Sequence, residues 1–341
     1  MIGPHRDVAA ARTAVRAAGF PPGARLLLGC SGGQDSLALA ATLAFLAPRE
    51  GWVVRVLVVD HAVRAESAAD AERAAALTRS LGLETDVVRV TVPGGAAGTG
   101  HGGPEAAARS ARRAALLAQA RRVDADAILL GHTMDDQAET VLLGLARGSG
   151  ARALAGMRER DGLWARPLLG LRRAQTAEIC RALGLTPVAD PSNELSGPWR
   201  QADGSALRRT ALRHRAIPLL TEILGPGVVP ALARSADQLR RDDDALAADA
   251  ERLTEAAVRA RGVGHLEIDI TPLAEAPAAI RTRAIHALLS SLARPGAQVG
   301  SVHVREVERL VLREGVGPID VAGGVSVRRI GGMLRVSRRA T

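Results

Sequence analysis

The sequence predicts an α/β fold: a doubly wound parallel sheet followed by a smaller, mainly helical C-terminal region. Two observations carry that expectation. Short apolar runs alternate with helix-patterned segments along the N-terminal part, and strands alternating with helices build a parallel sheet with right-handed crossovers. Polar clusters at 31–36, 60–64 and 132–136 each follow one of those runs directly. In open α/β sheets ligands sit beyond the carboxyl ends of the strands, so three such clusters point to one site.

Taken in order, His5 to Ala18 reads as a short Ala-rich helix, and Arg25 to Gly29 as a buried strand. A helix starting at about Asp35 or Ser36 runs to Phe45. Trp52 to Val59 is a near-continuous β-branched run, as expected of a strand covered on both faces. Glu66 to Leu81 reads as a helix, Glu84 to Val92 as a strand, Pro93 to Pro104 as a Gly-rich loop and Glu105 to Arg122 as a helix. Asp126 to Gly131 is a fourth strand, with helices at Asp135 to Arg147 and Arg172 to Leu183. Leu207 to Leu224 is helical, with Pro218 expected to kink it or end a turn. Gly225-Pro226-Gly227 suggests a boundary between domains 1–224 and 225–341. Beyond it come an amphipathic helix from Val228 to Arg261, a strand at Leu266 to Ile270, helices near 277–292 and 303–313, and a hairpin over 323–336.

The stretch Gly29-Cys30-Ser31-Gly32-Gly33-Gln34-Asp35-Ser36 joins the first strand to its helix. Glycines let a backbone approach a ligand, turn N–H groups converge, and a helix N-terminus favours negative charge. Two hydroxyls, an acid and a Gly pair within six residues of a strand make a phosphate site, against the plainer reading of Asp35 or Ser36 as a helix N-cap. The Gly-Lys-Ser/Thr ending of a Walker loop and the G-x-G-x-x-G dinucleotide pattern are both absent.

Among 341 residues the chain has 45 basic and 36 acidic side chains, a formal charge of +9, and no lysine. An all-arginine basic set suits phosphate, which guanidinium binds bidentately. Only five aromatic residues serve the whole chain, so any nucleic acid must be gripped by arginine, shape and phosphate contacts rather than by stacking. Cys30 and Cys180 have neither zinc-site nor disulfide-framework spacing. No leader-type apolar region and no apolar run of membrane length is present, and the expectation is a soluble, cytoplasmic protein without a membrane partner.

The S-G-G-x-D-S string resembles the PP-loop of the N-type ATP pyrophosphatases, which split ATP between the α and β phosphates. More specific strings follow. Gly131-His132-Thr133-Met134-Asp135-Asp136-Gln137-Ala138-Glu139-Thr140, continuing to Arg147-Gly148-Ser149-Gly150, resembles the G-H-x-x-D-D-Q-x-E-T…R-G-S-G segment of the tRNA(Ile)-lysidine synthetase family. Val59-Asp60-His61-Ala62-Val63-Arg64, Glu105 to Arg112, Arg166-Pro167-Leu168-Leu169 and Asp190-Pro191-Ser192-Asn193 are similar to further segments of that family, in its order, over residues 24 to 220. Two departures stand out. Arg113 replaces the usual aromatic, and extra residues around 197–205 precede Arg208-Arg209-Thr210-Ala211-Leu212-Arg213-His214, with Ala211 where the family's second arginine is expected.

The resemblance implies a PP-loop ATPase domain and a tRNA-gripping C-terminal α+β region. It also implies ATP and Mg²⁺ as cofactors, with tRNA(Ile) bearing a CAU anticodon and free L-lysine as substrates. ATP would adenylate the C2 oxygen of the wobble cytidine and release pyrophosphate, and lysine would then displace AMP to leave lysidine. In that reading Ser31, Gly32, Gly33, Gln34, Asp35, Ser36 and His61 contact the nucleotide, and Asp35 holds the metal. His132 and Asp136, or Asp135 in its place, sit near the reacting base, and Arg109, Arg112 and Arg209 reach phosphate or substrate.

Plainer readings stay open beside these. Thr133-x-x-Asp136 also fits a helix cap, Asp135 first-turn dipole decoration, and His61 a core histidine. Asp242-Asp243-Asp244 reads as a solvated turn rather than a metal cluster, and His101 as a solvated loop residue. The competing functions are another PP-loop tRNA-modifying enzyme and an RNA-binding homologue without catalysis. A homodimer is left open.

Overall fold

The computed structural model describes residues 3–62, 66–91, 103–147, 150–189, 191, 194–197, 200–201, 203–312 and 318–339. Arg64, the loop 93–102 with His101, Gly148-Ser149, Asp190, Ser192 and Asn193 lie outside them. Two compact units form, residues 1–237 and 238–341.

In the first unit the chain runs α1 (Arg6–Ala17), β1 (Arg25–Cys30), α2 (Gln34–Glu50), β2 (Val53–Asp60), α3 (Ser67–Ser80), β3 (Glu84–Arg89), α4 (Gly103–Arg122), β4 (Ala127–Leu130) and α5 (Met134–Ala146). A single-turn α6 (Ala151–Leu154), the two-residue strands β5 (Arg160–Asp161) and β6 (Trp164–Ala165), α7 (Arg173–Ala182), α8 (Arg208–Ala211) and α9 (Ile217–Leu224) follow. The sheet order is β3-β2-β1-β4-β6-β5, parallel except for the β5–β6 hairpin, which the sequence reading missed because two-residue strands leave no periodicity.

β1 is the pivot of this sheet. Leu28 pairs with Val56 of β2 on one side and with Leu129 of β4 on the other, so the chain reverses its direction of growth across β1. Side chains alternate accordingly: Leu26, Leu28 and Cys30 pack with α1, α2, α3 and α7, while Leu27 packs with Leu116 of α4, Ile128 and Trp164. Both faces are covered, which explains why β1 reads as an unbroken apolar run. The crevice at the carboxyl ends of β1 and β4 is the switch point where such sheets take their ligands.

Several local expectations are corrected. Helix α2 begins at Gln34 with Gly33 as its N-cap, not at Asp35 or Ser36, and runs through Pro48 to Glu50, where Gly51 at φ 71° closes it. Pro218 does end a turn, as expected: the helical run from Arg208 to Leu224 widens into a π-helical turn over Leu212–Ala216 just before it, and α9 resumes with the proline in its first turn. The long helix α10 (Val228–Ala257) ends four residues before Arg261, since Val258–Gly262 is strand β7. The division between units falls inside α10, after the Gly225–Gly227 bend that marked it in the sequence.

The second unit holds the rest of α10, β7, β8 (His265–Asp269), α11 (Ile270–Glu275), α12 (Ala278–Leu292), α13 (Ser301–Leu312) and strands β9 (Ile319–Val321), β10 (Val325–Ile330) and β11 (Met333–Arg338). Its antiparallel sheet, β7-β8-β11-β10-β9, buries Leu266, Ile268, Val325, Val327, Leu334 and Val336 against the helices. Asp242 to Asp244 are helical rather than a solvated turn; the helical period turns Asp243 inward, where Arg283 pairs with it at 2.8 Å, and leaves its two neighbours exposed. Among the described residues no single helix is long and apolar enough to cross a membrane.

Candidate active site

The loop after β1 is built by its own side chains. The Ser36 hydroxyl lies inside the turn: it donates to the Gly33 carbonyl at 3.0 Å and accepts from the Ser31 N–H at 3.2 Å. Gly32 has φ +80°, and a Cβ there would stand 2.6 Å from Ala74 Cβ, so only glycine fits between the loop and α3. The Val188 N–H donates to the Gly32 carbonyl at 2.9 Å and fixes the other side of the turn. Above it α2, seventeen residues long, presents its N-terminus with Asp35 in the first turn.

The end of β4 closes onto this loop. A Cβ on Gly131 would meet the Asp35 backbone and Ser36 N at 2.8 Å, so glycine at 131 allows the strand ends to come this close. Helix α5 therefore starts beside α2, each with acids in its first turn: Asp35 in α2, Asp135 and Asp136 in α5. Asp136 does act as a cap, as the plainer reading has it: its Oδ2 accepts the Thr133 N–H at 2.8 Å and the Thr133 hydroxyl at 2.9 Å. Its other oxygen points into a cluster of arginines. Arg173 Nη2 donates to Asp136 Oδ1 at 2.6 Å and Arg213 Nη2 at 3.4 Å.

Glu139, one turn further along α5 and fully buried, joins the same cluster. Its oxygens receive Arg213 Nε at 2.9 Å, Arg213 Nη2 at 3.3 Å and Arg173 Nη1 at 3.3 Å, and pair with Arg209 at 3.7 Å. Arg173 Nε reaches Asp35 Oδ2 at 3.3 Å, and the Thr176 hydroxyl donates to Asp35 Oδ1. Asp135 turns the other way, accepting Arg172 Nε at 3.0 Å and the Arg173 N–H at 2.8 Å, and so joins α5 to α7. The Gln34 side-chain amide is engaged similarly, donating to the Arg173 carbonyl at 3.1 Å.

Burial and the arginines oppose each other at Asp35 and Asp136, with opposite outcomes. Burial raises the Asp136 carboxyl, but Arg173 foremost, with His132, the Thr133 N–H and Arg213, brings it below the ordinary range. At Asp35 burial prevails over Thr176 and Arg173, and the carboxyl lies above its usual value. Arg173, although buried, is held more firmly protonated than free arginine by Asp136, Asp35, Glu139 and Asp135.

On the α4 side of β4 the environment is cationic. His132 is pushed down to about 3 by burial, reinforced by Arg112, Arg166 and Arg109 and opposed by Asp136. It is a neutral imidazole at physiological pH, and its Nδ1 is buried without a hydrogen-bond partner among the described residues. Arg109 and Arg112 thus face His132, while Arg113 lies over the Trp164 ring at 4.3 Å. Arg166 is buried, donates to the Arg158 carbonyl at 2.8 Å, and is lowered by that burial despite Asp161. Half-buried His61 follows β2, one strand from the loop; Asp60 beside it accepts the Ala62 N–H at 2.8 Å, and Ala62 has φ +52°.

A loop built for phosphate, adjoining an acid cluster at the switch point of a parallel sheet, agrees with what comparison with known proteins finds. A family model described as a PP-loop domain matches residues 8–220. The tRNA(Ile)-lysidine synthase of Thermobifida fusca is 45% identical over 340 residues, 99% of each chain. That of Leifsonia xyli is 44% identical, covering 92% of this chain and 90% of its own.

The chain belongs to the tRNA(Ile)-lysidine synthase family.

Its fold is also similar to that of the U34-tRNA thiolase NcsA of Methanococcus maripaludis, with a TM-score of 0.54 at 18% identity, covering 68% of this chain and 79% of that one. Beside the departure at Ala211 from the lysidine synthase pattern, Arg208 Nε donates to Gln201 at 3.1 Å, within the extra segment. Arg209 and Arg213 face Glu139 instead, being i,i+4 neighbours on one helical face. Of the residues singled out in the sequence, the loop 31–36, His132, Asp136 and Arg209 gather at the ends of β1 and β4, with Arg109 and Arg112 around His132. Sequence reasoning passed over Glu139, Arg173 and Thr176. Glu139 had a signal, since it lies three residues after Asp136 on the same face. Arg173 and Thr176 had none.

Proposed function

We propose that this chain converts the wobble cytidine of tRNA(Ile) with a CAU anticodon to lysidine in two steps. ATP first adenylates the C2 oxygen and pyrophosphate leaves; the ε-amine of free lysine then attacks C2 and AMP leaves. The observation that carries this reading is that Asp35 of the phosphate loop and the Asp136–Glu139 pair lie within reach of one guanidinium, that of Arg173. A site for phosphate transfer and a site for a cation are thereby adjacent, as ATP and a lysine side chain require.

The Gly33 amide, the Ser31 hydroxyl and the α2 N-terminus receive the phosphates, while the Ser31 and Gly32 amides and the Ser36 hydroxyl hold the turn in shape through Ser36, Cys30 and the Gly33 carbonyl. Asp35 would hold Mg²⁺ together with phosphate oxygens. Its donor set fits, because Mg²⁺ commonly takes one or two carboxylates and completes its shell with phosphate and water. The ion, when bound, neutralises phosphate charge. Asp136, held ionised by its arginines, is suited to orienting the lysine ammonium more than to taking its proton. Neutral His132, with a free ring nitrogen, is suited to hydrogen bonding with a base edge without carrying charge to it. Arg109 and Arg112 supply positive charge beside it for phosphate.

The C-terminal region would grip the tRNA. Arg328 and Arg335 are exposed and directly opposed across β10 and β11; Glu267 of β8 pairs with Arg335 at 2.6 Å, so Arg328 is the one of the two offered to a phosphate. The deciding experiment supplies the chain with ATP, Mg²⁺ and labelled lysine, with tRNA(Ile) bearing CAU and tRNA(Met) as control. Labelling of tRNA(Ile) alone supports the reading. Pyrophosphate release without labelling would mean another second substrate, and no reaction of either kind would favour a protein that binds RNA without catalysis.

A further inference from the structure

Arg172 and Arg173 open helix α7, the end of a helix where positive charge is disfavoured. Helix stability therefore does not account for an arginine there. Arg173 is also held on three sides. Its N–H donates to Asp135 at 2.8 Å, its carbonyl accepts the Gln34 amide at 3.1 Å, and its guanidinium spans Asp35, Asp136 and Glu139. Each of its three nitrogens faces a different carboxylate, and those carboxylates come from two helices, α2 and α5. A lysine ammonium in its place would be a point charge and could not keep this division.

Resting on the function proposed above, we infer that Arg173 is a positioning residue shared by both half-reactions, fixing Asp35 on the phosphate side and Asp136 with Glu139 on the amine side at one mutual spacing. Among the acids Thr176 holds Asp35 alone, its hydroxyl also lying 2.8 Å from the Arg173 carbonyl. Arg213 meets Glu139 and Asp136, and Arg209 pairs with Glu139. Arg173 is thus the single described side chain that bridges the loop acid and the α5 acids. Removing it lets both sets relax, whereas removing the Thr176 hydroxyl disturbs one.

The test compares the full chain with R173Q, R173K and T176V, measuring tRNA-dependent pyrophosphate release, kcat and KM for lysine, and thermal unfolding. R173Q is expected to slow pyrophosphate release and to raise the lysine KM by about tenfold or more. T176V is expected to slow pyrophosphate release while leaving the lysine KM within about twofold. R173K, which keeps the charge without the fork, should recover part of the loss. A folded R173Q with the parent's lysine KM overturns the inference. If R173Q does not fold, R173K decides: a lysine KM raised about threefold or more at unchanged Tm supports it, and an unchanged KM overturns it. A parent chain that fails to attach lysine to tRNA(Ile) would overturn the proposed function instead.

Discussion

His132 makes a quantitative prediction about stability and pH. Its imidazole is held at about 3 in the folded chain against an ordinary 6.5. Between those values the unfolded chain binds a proton that the folded chain does not, so stability falls as pH drops from about 6.5 toward 3. Working the two binding equilibria at 25 °C, the residue costs about 2 kcal/mol at pH 5 and next to nothing at pH 7.5. Asp136, whose carboxyl is lowered from an ordinary 3.8, contributes stability that is lost only at more acid pH, and the raised carboxyl of Asp35 acts alike in parent and variant, so the difference between the two proteins reads the histidine. The perturbation is H132Q, which keeps a polar side chain and cannot titrate. Tryptophan fluorescence in a urea series reads the right unit, because Trp52, Trp164 and Trp199 all lie within residues 1–237. Between pH 7.5 and 5 the parent should lose about 2 kcal/mol more than H132Q, equivalent to about 1 M in urea midpoint for an m-value near 2 kcal/mol/M. Any packing cost of glutamine cancels, since it applies at both pH values. Equal losses in the two proteins would refute a buried, neutral His132.

Three further outcomes follow from the site. D35A should lower tRNA-dependent pyrophosphate release by about 100-fold or more while circular dichroism and Tm stay close to the parent's; parent-like turnover would remove the loop acid from the chemistry. G32A should destabilise the first unit by about 1–3 kcal/mol in the same urea series, because alanine meets both a left-handed backbone and a Cβ contact at 2.6 Å; an unchanged midpoint would mean the turn relaxes freely. R208A should leave turnover within about twofold, its side chain being directed to Gln201, whereas R213A should raise the lysine KM by about tenfold; the reverse ranking in steady-state kinetics would show that the extra segment turns Arg208 toward substrate.

What the sequence by itself determined was local chemistry and its order along the chain. The apolar run of β1, the Gly32–Gly33 turn and the first-turn acids of α2 and α5 are each encoded within a few neighbouring residues. They remain legible because strand period, glycine conformations and helix-end electrostatics act at that range. The place of the site was legible too, since strands alternating with helices put the carboxyl ends of β1 and β4 together. Even the errors were local in kind: α2 extends beyond Phe45 because Gly51 rather than Pro48 stops it, and 258–261 leaves the helix to pair with β8.

What only the tertiary structure decided is how the acids are used. Asp35 and Arg173 are 138 positions apart, and their contact depends on α7 packing beside α2, a consequence of sheet order that no window of sequence contains. The same holds for Arg213 against Glu139 and for Asp243 against Arg283. The state of His132 is likewise a property of burial and of neighbours brought in from α4 and from Arg166. Residue type announces what a group can do; its protonation and its partners are set by the low-dielectric, three-dimensional surroundings that folding assembles.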